Sequence, residues 1–142
     1  MSRFIVTGGA GLIGSNIVEK LNRRGVTDII VIDHLNHPGK QRNLDRLKFS
    51  SYMDRADFRK SFLRNQVPPV DGVFHLGACS STTETDEAYL DDNNTAYTQD
   101  LCHWSIKNGA RFVYASSAAT YGDGSLGYSD SDNVTPNLQP LN

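Results

Sequence analysis

The glycine-rich turn at residues 7–14 constrains the fold of this chain more than any other feature. The apolar run 4–6 leads directly into Thr7-Gly8-Gly9-Ala10-Gly11-Leu12-Ile13-Gly14, which fits both Gly-x-Gly-x-x-Gly and Gly-x-x-Gly-x-x-Gly. Glycines at these spacings form a tight turn, let the backbone approach a pyrophosphate, and let a helix pack closely on a strand. The N-terminus of that helix presents free N–H groups to phosphates. The turn therefore predicts nucleotide binding, although the same glycines also suit a purely structural strand–helix turn.

A second apolar strand supports the nucleotide-binding interpretation. Residues 28–32 read Asp-Ile-Ile-Val-Ile and are followed by Asp33. This acid lies about 20 residues after the glycine turn, where a carboxylate that binds the ribose hydroxyls is expected. The alternative is that Asp33 only caps a turn or a helix.

Strand and helix patterns alternate along the chain, and this order predicts an α/β fold with a doubly wound parallel sheet of the Rossmann type. The first helix is predicted over 14–24, with Ile13, Ile17, Val18 and Leu21 facing the core. The chain is interpreted as one domain, 1–142, with a loop-like tail at 122–142. Further strands are predicted within 46–52 and at 72–76 and 111–115, further helices at 54–65 and 85–108, and a loop at 34–43.

The composition argues against several classes of function. The 142 residues carry a net charge of −2, which gives no indication of a general affinity for nucleic acid or an anionic membrane. No apolar run approaches the ~20 residues that span a bilayer, and the first strand begins too early for a signal peptide to precede it. The two cysteines, Cys79 and Cys102, form neither a disulfide framework nor a metal-ligand pattern. We therefore expect a cytoplasmic protein without a metal site.

The predicted fold also places the ligand site. In an open parallel sheet, ligands bind beyond the carboxyl ends of the strands, at the switch in strand order. That rule selects four turns that are rich in small or polar residues, at 8–14, 33–40, 77–83 and 116–122.

Two of these turns carry a more specific signature. One lies in Phe74-His75-Leu76-Gly77-Ala78-Cys79-Ser80-Ser81-Thr82-Thr83-Glu84, and the other in Tyr114-Ala115-Ser116-Ser117-Ala118-Ala119-Thr120-Tyr121-Gly122. Together with the glycine turn, they resemble the extended short-chain dehydrogenase/reductase family, which includes nucleotide-sugar epimerases and dehydratases. The run 77–84 and Asp92-Asn93-Asn94 are similar to a narrower group, the epimerases of nucleotide-linked heptoses. The resemblance covers nearly the whole chain.

The resemblance implies an NADP-dependent isomerase that inverts C6 of the heptose in an ADP-heptose, for the inner core of lipopolysaccharide. In such enzymes hydride leaves the sugar for the nicotinamide and then returns to the opposite face. A small-molecule nucleotide-sugar substrate and a homo-oligomer are implied as well. Two other hypotheses remain open: a different extended epimerase, dehydratase or reductase, and a non-catalytic dinucleotide-binding fragment.

One element of the family pattern is missing from this chain. A tyrosine whose pKa is lowered by a nearby lysine is the family's acid–base group, in a Tyr-x-x-x-Lys motif. None of the six tyrosines here has a lysine four residues later. The chain stops where the family reaches that motif, so we expect a cofactor half that lacks the last strands and the substrate domain. Such a polypeptide is expected to be inactive alone.

The resemblance assigns roles residue by residue. Ser117 matches the catalytic serine, with a turn-capping role as the alternative. Lys40 and Arg55 match basic residues that hold the 2′-phosphate of NADP, and Arg42 is a weaker rival. Asp33 favours NAD because a carboxylate repels a 2′-phosphate, but the family tolerates this acid and NADP is preferred. The cofactor-binding residues implied besides Lys40 and Arg55 are Gly8, Gly11, Leu12, Ile13, Gly14, Asp33, His34, Leu76, Gly77, Ala78, Cys79, Ser80 and Asn93.

Some residues near the expected site have two interpretations. Asn93 is expected either to bond near the nicotinamide or to bridge its helix to the turn after the fourth strand. Thr120 is a candidate for substrate contact. Cys79 is interpreted as a small packing residue that contacts the cofactor through its backbone. His75 is interpreted as a strand histidine with satisfied hydrogen bonds rather than as a catalyst.

Overall fold

A computed structural model describes residues 2–81 and 83–140. In it five parallel strands form one sheet in the order β3-β2-β1-β4-β5. The chain winds outward from β1 in one direction, then crosses back to β4 and winds the other way. This confirms the doubly wound α/β sheet. The strands are β1 (Phe4–Thr7), β2 (Ile29–Asp33), β3 (Ser51–Asp54), β4 (Gly72–His75) and β5 (Arg111–Tyr114).

Helices cover both faces of the sheet. One hydrophobic cluster places Val18 and Leu44 against the apolar side chains of β1 and β2. A second cluster places Phe58, Leu101 and Trp104 against the opposite face. The first face is therefore covered by α1 (Leu12–Arg23) and α2 (Pro38–Leu44), and the second by α3 (Arg55–Leu63) and α5 (Tyr97–Lys107). The short helix α4 (Glu87–Leu90) buries none of its residues. All five residues of β2 are buried, as expected for a central parallel strand.

The loop predicted at 34–43 is wrong, because Pro38–Leu44 forms α2. The His37 ring accepts a hydrogen bond from the Gly39 N–H at 3.0 Å, and Pro38 occupies the first helical position. Proline suits that position because its missing N–H would have no partner there and its φ angle is already helical. Leu44 is buried and secures the helix to the sheet. The Pro-Gly pair is thus part of a helix start.

The core-facing assignment of Ile13 is also wrong. Its side chain is 63% exposed, whereas Val18 is fully buried and Ile17 and Leu21 pack against the cluster on that face. Ile13 lies in the first turn of α1, beside the glycine turn and ahead of the part of the helix that crosses the sheet. Helical spacing alone does not show where a helix leaves the edge of the sheet.

The predicted helix at 85–108 is interrupted by a π-helical segment. Residues Asp91–Ala96 form this segment between α4 and α5. Each π turn holds an extra residue, which rotates the side chains that follow relative to an α-helix, and such turns are common at functional sites. The third strand, predicted within 46–52, lies at Ser51–Asp54. Beyond β5 the described chain is loop with two short 3₁₀ turns, Ala118–Tyr121 and Thr135–Asn137.

Candidate functional site

A cleft of about 350 Å³ opens at the carboxyl ends of the strands. The turns after β1, β2 and β4 form most of its wall, and the start of α3 and the π segment complete it. This is the edge that strand order selects for a ligand. The predicted site residues that line the cleft are Gly8, Gly11, Asp33, His34, Lys40, Arg55, Leu76, Gly77, Ala78, Ser80 and Asn93.

The glycine turn fits closely against its neighbours. Gly8 has a φ of +65°, and a Cβ there would lie 2.8 Å from the Leu76 carbonyl oxygen. A Cβ on Gly14 would lie 2.1 Å from the carbonyl oxygen of Gly8. Gly11 differs, because its Cβ would meet that oxygen at 3.2 Å and nothing else within contact distance. Gly8 and Gly14 are therefore required for packing. Gly11 has more room around it, and it lines the cleft.

Asp33 joins the end of β2 to both neighbouring turns. Its carboxylate accepts from the Ala10 N–H at 2.9 Å, from the His34 N–H at 2.7 Å, and from Lys40 Nζ at 2.7 Å. The side chain is 7% exposed. Asp33 therefore performs the turn-stabilising role considered from the sequence, and its negative charge is paired with Lys40 at the wall of the cleft.

A second carboxylate stands beside the first at the end of β3. Asp54 caps α3 by accepting from the Ala56 N–H at 2.9 Å, and its other oxygen lies 3.0 Å from His34 Nδ1. The contact with His34 and the cap together lower the pKa of Asp54. Arg55 follows it, and its guanidinium donates to Asn93 Oδ1 at 3.2 Å. Two carboxylates and three basic side chains therefore lie close together at this end of the cleft: Asp33, Asp54, His34, Lys40 and Arg55.

The wall formed by the β4 turn is fixed by a buried hydrogen-bond network. Thr7 Oγ1 accepts from the N–H groups of Leu76 and Gly77 at 3.2 and 3.1 Å and lies 2.7 Å from His75 Nδ1. His75 Nε2 lies 2.9 Å from Thr98 Oγ1, which donates to the Asn94 carbonyl at 2.6 Å. Burial lowers the pKa of His75 to about 4, so the ring is neutral. His75 is a satisfied strand histidine, as the sequence indicated.

Asn94 is the residue that sequence reasoning missed. Its amide accepts from the Cys79 N–H at 2.8 Å and donates to the Cys79 carbonyl at 3.0 Å, so it pairs with the backbone as another strand would. Asn93 faces Arg55 in the cleft instead. Asn93 also donates its side-chain amide to Asn94 Oδ1 at 2.8 Å, but the bridge to the β4 turn that was expected of Asn93 is made by Asn94. The Asn-Asn pair was the only signal available in the sequence.

Ser117 lies at a neighbouring cavity rather than in the main cleft. This cavity, of about 230 Å³, shares Leu76, Gly77 and Ala78 with the cleft and reaches Ser116 and Ser117 after β5. Ser117 Oγ accepts from the Ala119 N–H at 3.2 Å and caps the 3₁₀ turn. The capping role is therefore present, and Ser117 also lines a cavity that shares three residues with the cleft.

Several predicted residues lie outside the cleft wall. Leu12 and Ile13 expose their side chains at the start of α1, and Cys79 is held through its backbone by Asn94. Arg42, the rival for phosphate binding, lines a separate groove beside Ser15 and Glu19. Gly14 is packed within the glycine turn. Thr82, part of the run that carries the resemblance, lies outside the described residues.

The sheet, its crossover helices and a cleft at the carboxyl ends of β1, β2 and β4 define the class of Rossmann-fold dinucleotide-binding proteins. Within that class, the chain belongs to the NAD dependent epimerase/dehydratase family, whose model matches residues 4–142.

The chain is also similar to individual proteins of known sequence or structure. The chain is 50% identical over 140 residues to the ADP-L-glycero-D-manno-heptose-6-epimerase of Nitratidesulfovibrio vulgaris, covering 98% of this chain and 43% of that protein. The crystal structure of the Helicobacter pylori ADP-L-glycero-D-manno-heptose-6-epimerase matches with a TM-score of 0.79 and 26% identity, over 99% of this chain and 46% of that one. The UDP-glucose 4-epimerase of Brucella ovis, solved in complex with NAD, matches with a TM-score of 0.67 and 28% identity, over 86% and 38%. The chain thus spans less than half the length of these relatives.

The part of the chain that the structure describes contains neither a cluster of metal-ligand side chains nor a membrane-spanning helix. Within residues 2–81 and 83–140, no three His, Cys, Asp or Glu side chains are grouped so that they could hold a metal ion. No helix in the same part of the chain is long and apolar enough to cross a membrane.

Proposed function

We propose that residues 1–142 form the NADP-binding domain of an epimerase that inverts C6 of the heptose in an ADP-heptose. The observation that carries the proposal is the cleft, whose wall contains the glycine turn and two basic side chains, Lys40 and Arg55. The 50% identity to the Nitratidesulfovibrio vulgaris enzyme supports the heptose as the sugar. We further propose a cytoplasmic protein that is homo-oligomeric in its full-length form.

The glycine turn suits the pyrophosphate of a dinucleotide. Gly11 caps α1 without a side chain, and the first turn of α1 contains no acid. The side chains of Leu12 and Ile13 point to solvent, which leaves the first N–H groups of the helix for a ligand. Gly8 and Gly14 keep this helix start close to the strands.

The charges at the other end of the cleft favour NADP over NAD. An acid at position 33 normally discriminates against a 2′-phosphate, but here Asp33 is engaged by Lys40 and by two backbone N–H groups. Its repulsion of a phosphate is thereby offset. Arg55 adds a cation that is held toward the cleft by Asn93. The NAD bound by the Brucella ovis relative is the reason to test both cofactors.

The chemistry would take place toward the β5 side of the cleft. A bound nicotinamide would supply hydride transfer out of the sugar and back to its opposite face. The backbone of Leu76, Gly77, Ala78, Cys79 and Ser80 would hold the cofactor along the β4 turn. The hydroxyl of Ser117 would donate a hydrogen bond to the carbonyl oxygen of the oxidised sugar. Because this chain contains no Tyr-x-x-x-Lys, we propose that it does not complete the reaction alone.

Calorimetric titration of the chain with NADP⁺ and NAD⁺ at equal salt tests the cofactor assignment. We expect tighter binding of NADP⁺, and loss of that preference in the Lys40→Ala, Arg55→Ala double variant. The matched control is Arg42→Ala with Arg46→Ala, which removes the same charge from the separate groove. Equal loss in both double variants would show a general charge effect and contradict the phosphate-binding roles.

A non-catalytic dinucleotide-binding module is the second candidate, favoured by the missing Tyr-x-x-x-Lys. The two candidates differ when the chain is co-expressed with the second half of the Nitratidesulfovibrio vulgaris enzyme. Epimerisation of ADP-heptose by the pair supports the enzyme half. Tight NADP⁺ binding without activity in the pair supports the module.

A further inference from the structure

Arg59 connects α3 to the chain around the π segment through three contacts. Its Nη1 donates to Asp92 Oδ2 at 2.7 Å, and its Nη2 lies 3.5 Å from Asp100 Oδ2. The guanidinium carbon also lies 5.3 Å from the centre of the Tyr97 ring. Asp92 is near the start of the π segment, whereas Tyr97 and Asp100 are in the first turn of α5. Arg59 therefore joins α3 to both ends of the π segment.

These contacts hold Arg59 more firmly than one surface ion pair would. Its side chain is 24% exposed, although that of Asp92 is 64% exposed. A single exposed ion pair contributes little, because two long side chains must be ordered for one contact. The planar guanidinium of Arg59 meets two carboxylates and an aromatic ring, so one ordered side chain makes three contacts. Asp92 is therefore held in a fixed position relative to α3.

Asp92 is followed directly by the residue that contacts Arg55 in the cleft. Asn93 Oδ1 accepts from the Arg55 guanidinium at 3.2 Å, and the Asn93 amide nitrogen donates to Asn94 Oδ1 at 2.8 Å. Arg55 and Arg59 are four residues apart on α3, so they lie on the same side of that helix. The two arginines thus bind consecutive residues of the π segment, one in the cleft and the other outside its wall.

The π segment makes this arrangement depend on side-chain contacts. π-Helical turns are rare, and the extra residue in each turn changes the direction of the side chains that follow. Without the contacts of Arg59, the segment Asp91–Ala96 loses its connection to α3 outside the cleft. The Asn93 amide would then be held by Arg55 and Asn94 alone, and a small rotation of the segment would separate its oxygen from the guanidinium.

We propose that Arg59 is a positioning residue that contributes to the preference of the cleft for NADP⁺. It holds Asp92, and the backbone at that residue sets the direction of Asn93. Asn93 in turn directs Arg55 toward the 2′-phosphate. This inference rests on the proposed function, because it explains how a cation of the same cleft is held. A guanidinium must face a phosphate to donate hydrogen bonds to it, whereas NAD⁺ has only a hydroxyl there, so a misdirected Arg55 weakens the binding of NADP⁺ alone.

The test measures the dissociation constants of NADP⁺ and NAD⁺ by calorimetry in the parent chain and in Arg59→Met, which keeps an unbranched apolar stem. We expect the binding of NADP⁺ to weaken by about three- to five-fold and the binding of NAD⁺ to stay unchanged, in the range of one partly exposed ion-pair network. A merely structural role would weaken both dinucleotides equally. Lys60→Met is the matched control, because it removes the adjacent cation from the exposed surface of α3 and should behave as the parent.

Asp92→Ala distinguishes positioning from a long-range effect of charge. Arg59→Met removes a positive charge and Asp92→Ala removes a negative one, so a long-range effect on the phosphate would change NADP⁺ affinity in opposite directions. Positioning predicts that both variants weaken NADP⁺. In an Arg55→Ala background, Arg59→Met should have no further effect, because it acts through the side chain that is already absent. Circular dichroism verifies that every variant is folded, and the exposed Asp92 keeps the test valid if Arg59→Met is not.

The outcomes distinguish this inference from the proposed function. The inference is overturned where Lys40→Ala with Arg55→Ala abolishes the NADP⁺ preference but Arg59→Met keeps it, or where Asp92→Ala binds NADP⁺ more tightly than the parent. Equal weakening of NADP⁺ and NAD⁺ in Arg59→Met overturns it as well. Absence of binding of either dinucleotide to the folded parent overturns the proposed function and this inference with it.

Discussion

The turn after β1 and the turn after β5 stand at the same edge of the sheet but are held in different ways. In the first, Gly9 donates to the Ile32 carbonyl on β2, Ala10 donates to Asp33, and Gly8 touches the β4 turn. In the second, Ser117 bonds to Ala119 within its own segment. The first turn is fixed by its neighbours, whereas the second is fixed mainly by itself.

This difference follows from the position of each strand in the sheet. β1 pairs with strands on both sides, so its turn is enclosed by β2 and β4. Within residues 2–81 and 83–140, β5 pairs with β4 alone, and Val113 and Tyr114 are about half exposed. This chain therefore holds the glycine-turn end of the cleft by many long-range contacts, and the β5 end by few. Substitutions in the two turns should therefore differ strongly in their effect on stability.

Gly14→Ala is expected to have the largest effect. Its Cβ would overlap the backbone of Gly8 and Gly9, which cannot move without separating β1 from its neighbours. We expect the free energy of unfolding to fall by about 4 kcal/mol, at or above the upper end of the range for overpacking. Urea denaturation followed by circular dichroism measures it.

Gly11→Ala is the matched control in the same turn. Its Cβ would meet the Gly8 carbonyl oxygen at 3.2 Å and nothing else nearby, so the fold should tolerate it with a loss of about 1 kcal/mol. Binding of dinucleotide should nevertheless weaken, because the methyl group stands where the backbone faces the cleft. Equal stability of the two variants would show that the glycine turn is less tightly packed than the structure indicates.

His75 lies at the end of β4, between the two turns, and is expected to make the stability of the fold depend on pH. Its pKa is lowered from 6.5 to about 4 by burial, so below pH 6.5 the unfolded chain takes up a proton that the folded chain does not. Stability should therefore fall as pH decreases from 6.5 to 4, by about 3 kcal/mol in all. A protonated ring would also present two donors, which removes the acceptor that the Thr7 hydroxyl uses.

Urea midpoints at pH 7.0, 5.5 and 4.5 test this prediction in the parent chain and in His75→Gln. The variant is less stable at every pH because it loses ring packing, but its stability should depend less on pH. His103→Gln, on the surface of α5, should keep the parent's dependence. A dependence unchanged in His75→Gln would assign the acid sensitivity to the carboxylates instead.

The sequence predicted the parts of the fold that depend on local pattern. The alternation of strand and helix patterns was enough for the doubly wound sheet, and the rule that ligands bind beyond the carboxyl ends of parallel strands was enough for the edge at which the cleft lies. The prediction failed where a residue has two local preferences. Pro38-Gly39 is typical of a loop, yet the His37 ring and the buried Leu44 make it the start of a helix.

The parts of the site that could not be predicted depend on contacts between distant segments. The pairing of Asn94 with the Cys79 backbone requires the π segment, which helical periodicity does not reveal. The hydrogen bonds of Thr7 to the β4 turn join residues 69 and 70 positions apart. The neutralisation of Asp33 by Lys40 likewise depends on α2, which the sequence did not predict. The sequence pattern predicted the edge at which the cleft lies, and tertiary contacts decide which residue makes each hydrogen bond there.

Ser117→Ala is expected to have the smallest effect on stability and completes the comparison of the two turns. It removes one exposed acceptor, at 3.2 Å from the Ala119 N–H, which water can replace. The free energy of unfolding should change by less than about 0.5 kcal/mol, and NADP⁺ binding should be unchanged because Ser117 lies outside the main cleft. The same change in a pair that epimerises ADP-heptose should lower turnover, since the proposed task of the hydroxyl is at the sugar. Ser116→Ala is the neighbouring control. A large loss of stability in Ser117→Ala would mean that the β5 turn is held as firmly as the glycine turn, and that the contrast between the two turns is wrong.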